Sequence, residues 1–155
     1  MKRTILAAAA ALSLVAGGAQ ARPIPDAGLT IEELLAFMKS AGFEATIQRT
    51  DDGERYIATK KDGINFDIDV YDCEKSRCRA IQFVATFELK TKLSAAKLNE
   101  WNLNKRYVRL YARNDGDPAF AYDANVAPGG TYEALQDDVD VFILFIPDML
   151  EHIGW

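Results

Sequence analysis

The 155-residue chain carries 18 Lys and Arg against 23 Asp and Glu, for a formal net charge of −5 at pH 7. This acidic balance argues against nucleic acid as a partner, because binding to nucleic acid depends on Lys and Arg that neutralise phosphates. The length suits one domain, and no internal repeat or low-complexity tract is visible.

The first 21 residues, MKRTILAAAAALSLVAGGAQA, have the pattern of a signal peptide. Lys2 and Arg3 precede an apolar run that is too short and too rich in alanine for a transmembrane helix. Ala19 and Ala21 form a small-x-small cleavage site. We therefore expect export to the periplasm or beyond. Without Lys2 and Arg3, 16 basic residues face 23 acidic ones, so the mature chain carries a charge of about −7 and no membrane span.

Residues 22–28 (RPIPDAG) form a Pro-containing linker before the domain proper, which we place at residues 29–155. The first helix is predicted from Leu29 to Ala41, where Thr30 and Glu33 make a capping box. Its buried stripe contains Ile31, Leu34, Leu35 and Met38.

Four strands follow as a meander. Strands at about 44–49 and 55–60 are joined by a three-residue loop that ends at Gly53, which sets Ile47 beside Ile57. The next turn sets Ile57 beside Ile68. All three isoleucines then lie on one apolar face.

The stretch from Ile64 to Leu89 predicts a long hairpin with both cysteines near its turn. If Cys73 lies opposite Cys78, Ile68 pairs with Phe83 on an apolar face. Asp67 and Asp69 then pair with Val84 and Gln82 on the other face. A slip of one residue would destroy this segregation, so the cysteine pairing and the apolar pattern support one register.

Two cysteines in an exported chain favour a disulfide between Cys73 and Cys78. The alternatives are a redox motif or half of a metal site. Redox pairs are more usually Cys-x-x-Cys. A zinc site needs about four ligands, whereas the only histidine, His152, is far along the chain.

A second helix is predicted from Leu93 to Arg106, with Ser94 as the better N-cap and Trp101 on its buried face. A second hairpin follows, with strands at 107–113 and 118–126. Its three-residue loop pairs Leu110 with Phe120, and Pro118 suits the start of an edge strand.

The last helix is predicted from Thr131 to about Ile153, ended or kinked at Pro147. Its segment VFILFI is apolar on every side, which is more than a surface helix needs. Either this helix is buried between the sheet and another helix, or it forms a homodimer interface. The candidate interface residues are Phe142, Phe145 and Met149.

These elements predict an α+β fold of order α-ββββ-α-ββ-α. One antiparallel sheet of about six strands has helices on its apolar face.

The outer face of the sheet carries the candidate functional residues. Asp67 and Asp69 alternate on one strand, about 7 Å apart, and could act as an acid–base pair or begin a calcium site. A polar outer face is nevertheless the usual state of such a sheet, so we predict no catalytic residue, metal or cofactor. The candidate binding surface is rich in Tyr and Arg, which are enriched at interaction hot spots. It contains Tyr56, Tyr71, Tyr107, Arg109, Tyr111 and Arg113.

Four stretches, LTIEELLAFMKSAGF, INFDIDVYDCEKSRCRAIQF, LNEWNLNKRY and NDGDPAFAYD, resemble the YbjN family of bacterial sensory transduction regulators. The resemblance covers about Leu29 to Ile153. It implies a fold similar to type III secretion chaperones, with no known active site. The cytoplasmic branch of the family is tied to stress, motility and surface-polysaccharide regulation, and this chain departs from it by its signal peptide and cysteine pair.

We therefore expect a non-enzymatic, exported domain that binds a protein or peptide in a regulatory or chaperone-like role. One alternative is a hydrolase or metal-dependent enzyme that uses Asp67 and Asp69. Another is a purely structural protein of the envelope stress response.

Overall fold

The computed structural model describes residues 21–61 and 63–155. The predicted signal peptide, apart from Ala21, lies outside the described residues. Within them the chain forms six strands and four helices. Their order is α1 (Ile31–Ser40), β1 (Glu44–Arg49), β2 (Arg55–Lys61), β3 (Ile64–Glu74), β4 (Arg77–Thr86), α2 (Ala95–Asn104), β5 (Val108–Ala112), β6 (Pro118–Asn125), α3 (Tyr132–Leu144) and α4 (Ile146–Ile153).

The strands form one antiparallel sheet in the order β1-β2-β3-β4-β6-β5, which confirms the α+β prediction. The predicted register of the long hairpin is also confirmed. Ile68 lies opposite Phe83, and Cys73 lies opposite Cys78, to which it is joined by a disulfide. The register places the polar and apolar side chains on opposite faces, as the alternation requires.

The expectation that Pro118 marks an edge strand is wrong, because β6 lies between β4 and β5. Pro118 is the first residue of β6, where its missing N–H interrupts no ladder of hydrogen bonds. Its carbonyl still accepts a hydrogen bond from the backbone N–H of Phe87 at 3.1 Å. Its place at the start of the strand explains why an interior strand tolerates the proline.

One face of the sheet is covered by helices, and Phe142 of α3 lies at the centre of the contact. Its ring centroid is 5.2 Å from that of Phe66 on β3, 5.7 Å from Phe83 on β4 and 5.2 Å from Phe120 on β6. Helices α1 and α4 add further buried side chains around it. This single layer of aromatic and aliphatic side chains is the core.

Helix α2 packs at the β5 edge of the sheet. Trp101 is buried and contacts the ring of Phe120 edge-on at 5.8 Å. The side-chain amide of Asn102 donates to the carbonyl of Leu110 and accepts from its N–H, both at 2.9 Å. Asn102 therefore occupies backbone groups of β5 that a further strand would otherwise use.

The closing helix predicted from Thr131 to Ile153, ended or kinked at Pro147, forms as two consecutive helices that meet at Phe145, two residues before the proline. Pro147 lies in the first turn of α4. A proline costs little there because the first N–H groups of a helix have no partner within the helix. The apolar segment VFILFI is thus divided: its first four residues end α3, Phe145 lies at the junction, and Ile146 begins α4.

Two of the three residues proposed for a dimer interface are buried within one chain. Phe142 and Met149 are both 0% exposed, so neither can contact a second copy. Phe145 is partly buried beside Lys105, whose ammonium lies 5.8 Å from its ring centroid. This part of the prediction is wrong because the sheet and α2 cover most of the apolar circumference. A homodimer remains a prediction, but Phe142 and Met149 cannot form its interface.

Residues 22–28, expected to be a linker, pack against the domain. Ile24 is only 3% exposed, and its N–H donates to the carbonyl of Gly130 at 2.8 Å. The guanidinium of Arg22 pairs with Glu133, with 3.0 Å between Nε and Oε1. The segment forms a strap over the start of α3, because burial of the one large apolar side chain stabilises the bound position.

Replacement of Phe142 by alanine should lower the free energy of unfolding by about 3–5 kcal/mol, because it empties the centre of the core. Leu144, two residues away and 71% exposed, is the matched control. Leu144→Ala should change stability by less than about 0.5 kcal/mol. Chemical denaturation measures both. Equal losses in the two variants would contradict the described packing.

Candidate functional site

The outer face of the sheet carries no helix in the described part of the chain and contains a groove of about 400 Å³. We call this depression the outer groove. Its lining comes from β2, β3, β4, β6 and β5, so it spans most of the sheet. The functionally relevant lining residues are Tyr56, Asp67, Asp69, Tyr71, Gln82, Tyr111 and Arg113.

The depth of the outer groove depends on small side chains in β6. Ala119 and Ala121 lie on the outer face and are 0% exposed. Across the pairing, Ala119 lies opposite Tyr111 and Ala121 opposite Arg109. Short side chains beneath and long ones on β5 produce a trough. The alternation of alanine with larger inner residues in AFAYDA was the sequence signal for this floor.

Two carboxylates lie in the half of the groove formed by β3. Asp67 and Asp69 are both partly buried. Burial, and then the charge of Asp69, raises the pKa of Asp67 from its ordinary 3.8 to about 6. Burial also raises the pKa of Asp69, and the nearby Tyr71 hydroxyl opposes that shift. Neither carboxylate takes part in an ion pair with any residue of the described ranges.

A third outer-face carboxylate, Asp123, differs from these two because it has both a hydrogen-bond donor and a cation as partners. Its Oδ1 accepts a hydrogen bond from Nε2 of Gln82 at 2.6 Å, and Arg109 forms an ion pair with it. The guanidinium of Arg109 also lies 5.5 Å from the ring centroid of Tyr111. Arg109 is therefore engaged within the chain, whereas Arg113 has only a distant partner, Asp115 at 3.9 Å.

The structure brings most of the predicted binding surface together. Tyr56, Tyr71, Tyr111 and Arg113 line the groove with the aspartates. Tyr107 does not line it, since its backbone has a φ of 69° and the strand alternation fails there. Its side chain, 70% exposed, is thus separated from the others. Simple alternation from β5 could not show this break.

Gln82 and Asp123 were missed by the sequence-based interpretation. They lie opposite each other only because β4 pairs with β6, two strands that are separated by α2 and β5 along the chain. No local pattern predicts that pairing. Gln82 was identified only as the neighbour of Asp69.

A second depression, of about 420 Å³, lies between α2 and α4 and includes Trp101, Lys105, Asp148 and His152. Lys105 pairs with Asp148 at 2.6 Å, and Nε2 of His152 lies 2.8 Å from the carbonyl oxygen of Lys97. Its lysine, aspartate and histidine therefore already have partners within the chain, whereas the buried Nε1 of Trp101 has none among the described residues. The outer groove is the better candidate, because its aspartates remain without cationic partners.

Residues 30–154 match the model of the YbjN family, described as "Putative bacterial sensory transduction regulator". The chain belongs to the YbjN family. No curated protein and no solved structure matches the chain.

Over residues 21–61 and 63–155, this YbjN domain has no group of three or more His, Cys, Asp or Glu side chains that could hold a metal ion. Over the same ranges, no helix has the length and apolar character needed to cross a membrane. Asp67 and Asp69 supply two carboxylates, whereas calcium takes six to eight oxygen ligands. The arrangement of the groove suits binding of a larger ligand by aromatic and charged side chains.

The raised pKa of Asp67 predicts a dependence of stability on pH. Between about pH 6 and pH 4 the folded domain binds a proton that the unfolded chain does not, so stability falls as pH rises through this window. Asp67→Asn removes the buried charge. At pH 7.5 the free energy of unfolding of the variant should be higher than that of the natural domain by about 1–2 kcal/mol, a figure that allows for the partial exposure of Asp67. At pH 4 the two free energies should be equal.

Denaturation at both pH values checks this difference. Asp51→Asn, at an exposed position in the loop between β1 and β2, is the control, and it should change the free energy of unfolding by less than about 0.5 kcal/mol at both pH values. A loss of stability in Asp67→Asn at pH 7.5 would mean that the Asp67 carboxylate is stabilised by its surroundings.

Proposed function

We propose that this YbjN domain is an exported, non-enzymatic binding module. It holds a segment of a protein or peptide in the outer groove, in a regulatory or chaperone-like role. The observation that carries the proposal is the open sheet face, where three tyrosines from β2, β3 and β5 surround a trough that is also lined by the small side chain of Ala119. Tyrosine offers a large, rigid contact area with little loss of conformational entropy, and its hydroxyl adds a polar contact.

The width of the groove supports a polypeptide ligand. From β3 to β5 the groove crosses three strand spacings, or about 14 Å. The aspartates lie at one side and Arg113 at the other, so the face offers both signs of charge. Membership of a regulator family supports a protein partner, although the family description names none.

Export is part of the proposal, and the start of the strap supports it. The backbone nitrogen of Arg22 lies 2.8 Å from Oε2 of Glu133. Cleavage after Ala21 would make this nitrogen a charged α-ammonium group, and charge strengthens a hydrogen bond to a carboxylate. Glu133 would then hold the N-terminus of the cleaved chain.

The second candidate function is hydrolysis by the aspartate pair. It is favoured by one observation, the pKa of about 6 at Asp67, since a general acid is most effective when its pKa lies near the working pH. The geometry favours it less, because Asp67 and Asp69 project from the same strand in the same direction and do not flank a bond from two sides. Turnover of chromogenic glycosides or esters that is lost in Asp67→Asn would support it.

Site-specific photo-crosslinking tests the binding function. With p-benzoylphenylalanine in place of Tyr56 or Tyr111, a crosslinked partner is expected from living cells. The matched control carries the probe at Leu144, which is exposed on the helix-covered side. The same partner should be lost when Tyr71→Ala is combined with the Tyr56 probe. Crosslinks that form from Leu144 and never from the groove would overturn the proposal.

Export is tested on protein purified from the periplasm. We expect an N-terminus at Arg22 and a mass lower by two hydrogens than that of the reduced mature chain, because Cys73 and Cys78 are bonded. Exchange of the Ile24 amide should be slow and should accelerate in Glu133→Gln, which loosens the strap. A chain that begins at Met1 and remains in the cytoplasm would contradict export.

A further inference from the structure

The two aspartates of the outer groove lack the cationic neighbours that other carboxylates of the domain have. Asp123 on the same face has Arg109, and Glu33 near the hairpin end of β4 has Arg77 at 2.9 Å. Among the described residues that line the groove, the one cation is Arg113. It directly follows β5, which lies three strand spacings or about 14 Å from β3. The negative charge on β3 therefore remains available to a ligand.

The spacing of the outer-face side chains of β3 matches the spacing of side chains in an extended peptide. Asp67, Asp69 and Tyr71 follow one another at alternate positions of β3, so their side chains repeat about every 7 Å. An extended peptide has the same repeat, because its side chains at positions i, i+2 and i+4 also lie on one side. Two cationic side chains and then an apolar one would match the three groups in order.

The tyrosines define how a cationic side chain could be held. Tyr56 and Tyr71 belong to β2 and β3, on the side of the groove where the aspartates lie. Lysine and arginine have long aliphatic stems that pack on aromatic rings while the charged group reaches a carboxylate. Arg113 repels a cation from the β5 side, which confines the positive groups to β3.

We propose that the outer groove recognises an extended segment with Lys or Arg at two alternate positions, followed by an apolar or aromatic residue two positions later. The cations lie on Asp67 and Asp69, and the apolar side chain lies on Tyr71. This inference rests on the proposed function and specifies the chemistry of its ligand. The net charge of about −7 on the mature chain favours encounter with a basic segment over long range.

The test uses four blocked peptides in a Gly/Ser background, measured by calorimetry or fluorescence anisotropy on the mature, oxidised domain at pH 7.5. The first carries Lys-Ser-Lys-Ser-Phe. The second has norleucine in place of both lysines, which keeps the stems and removes the charges. The third has glutamate there, and the fourth has the two lysines adjacent. The first should bind at least ten times more tightly than each of the others.

Matched protein variants locate the effect. Asp67→Asn with Asp69→Asn should weaken binding of the first peptide about tenfold. Asp137→Asn with Asp140→Asn removes two exposed charges from α3 and should change the affinity less than twofold. Equal losses in both double variants would mean that overall charge, and not the groove, attracts the peptide, and would overturn the inference.

The outcomes separate this inference from the proposed function. Equal binding of the lysine and norleucine peptides, weakened by Tyr71→Ala, would reject the basic ligand and leave a peptide-binding groove. Tighter binding of the glutamate peptide would reject it in the same way and would favour Arg113 as the anchor. Failure of all four peptides to bind at millimolar concentration, together with the absence of groove crosslinks, would reject both.

Discussion

The register between β3 and β4 is the constraint on which the rest of this domain depends. With Ile68 opposite Phe83, the large side chains Phe66, Ile68, Ile81 and Phe83 of the hairpin face the helices, and Asp67 and Asp69 face outward. A shift by one residue would bury both carboxylates and expose the rings that hold α3. The disulfide between Cys73 and Cys78 joins the strands near the turn in the same register. The core and the candidate site therefore share one structural cause.

All the packing of the core takes place on one side of the sheet. Phe142 contacts rings from β3, β4 and β6, so a single helix residue joins the β3–β4 hairpin to a strand that is distant along the chain. The helices, the strap and Trp101 complete this layer. Because this one layer contains the hydrophobic core, the opposite face is open to a ligand, and an antiparallel sheet tolerates such exposure.

The open face carries charges that do not serve stability. Burial raises the pKa of Asp67, which means that the ionised carboxylate is unfavourable in the folded domain at neutral pH. Nearby, Asp123 has both a guanidinium and an amide partner, so the same surface can neutralise a carboxylate. Groups that are costly to the fold are common at binding sites, where a ligand supplies the missing interaction. A basic ligand would do so here.

The sequence by itself determined the hairpins and their registers, because alternation of polar and apolar residues is local and has a period of two. Ile47 with Ile57, Ile68 with Phe83 and Leu110 with Phe120 could all be paired in this way. The outward direction of Asp67, Asp69, Tyr56 and Tyr111 followed from the same pattern. Only the tertiary structure decided that β6 lies inside the sheet, that Gln82 meets Asp123 and that Phe142 is buried within one chain. These contacts join segments far apart in sequence, and they depend on which surfaces remain to be covered after the hairpins have formed.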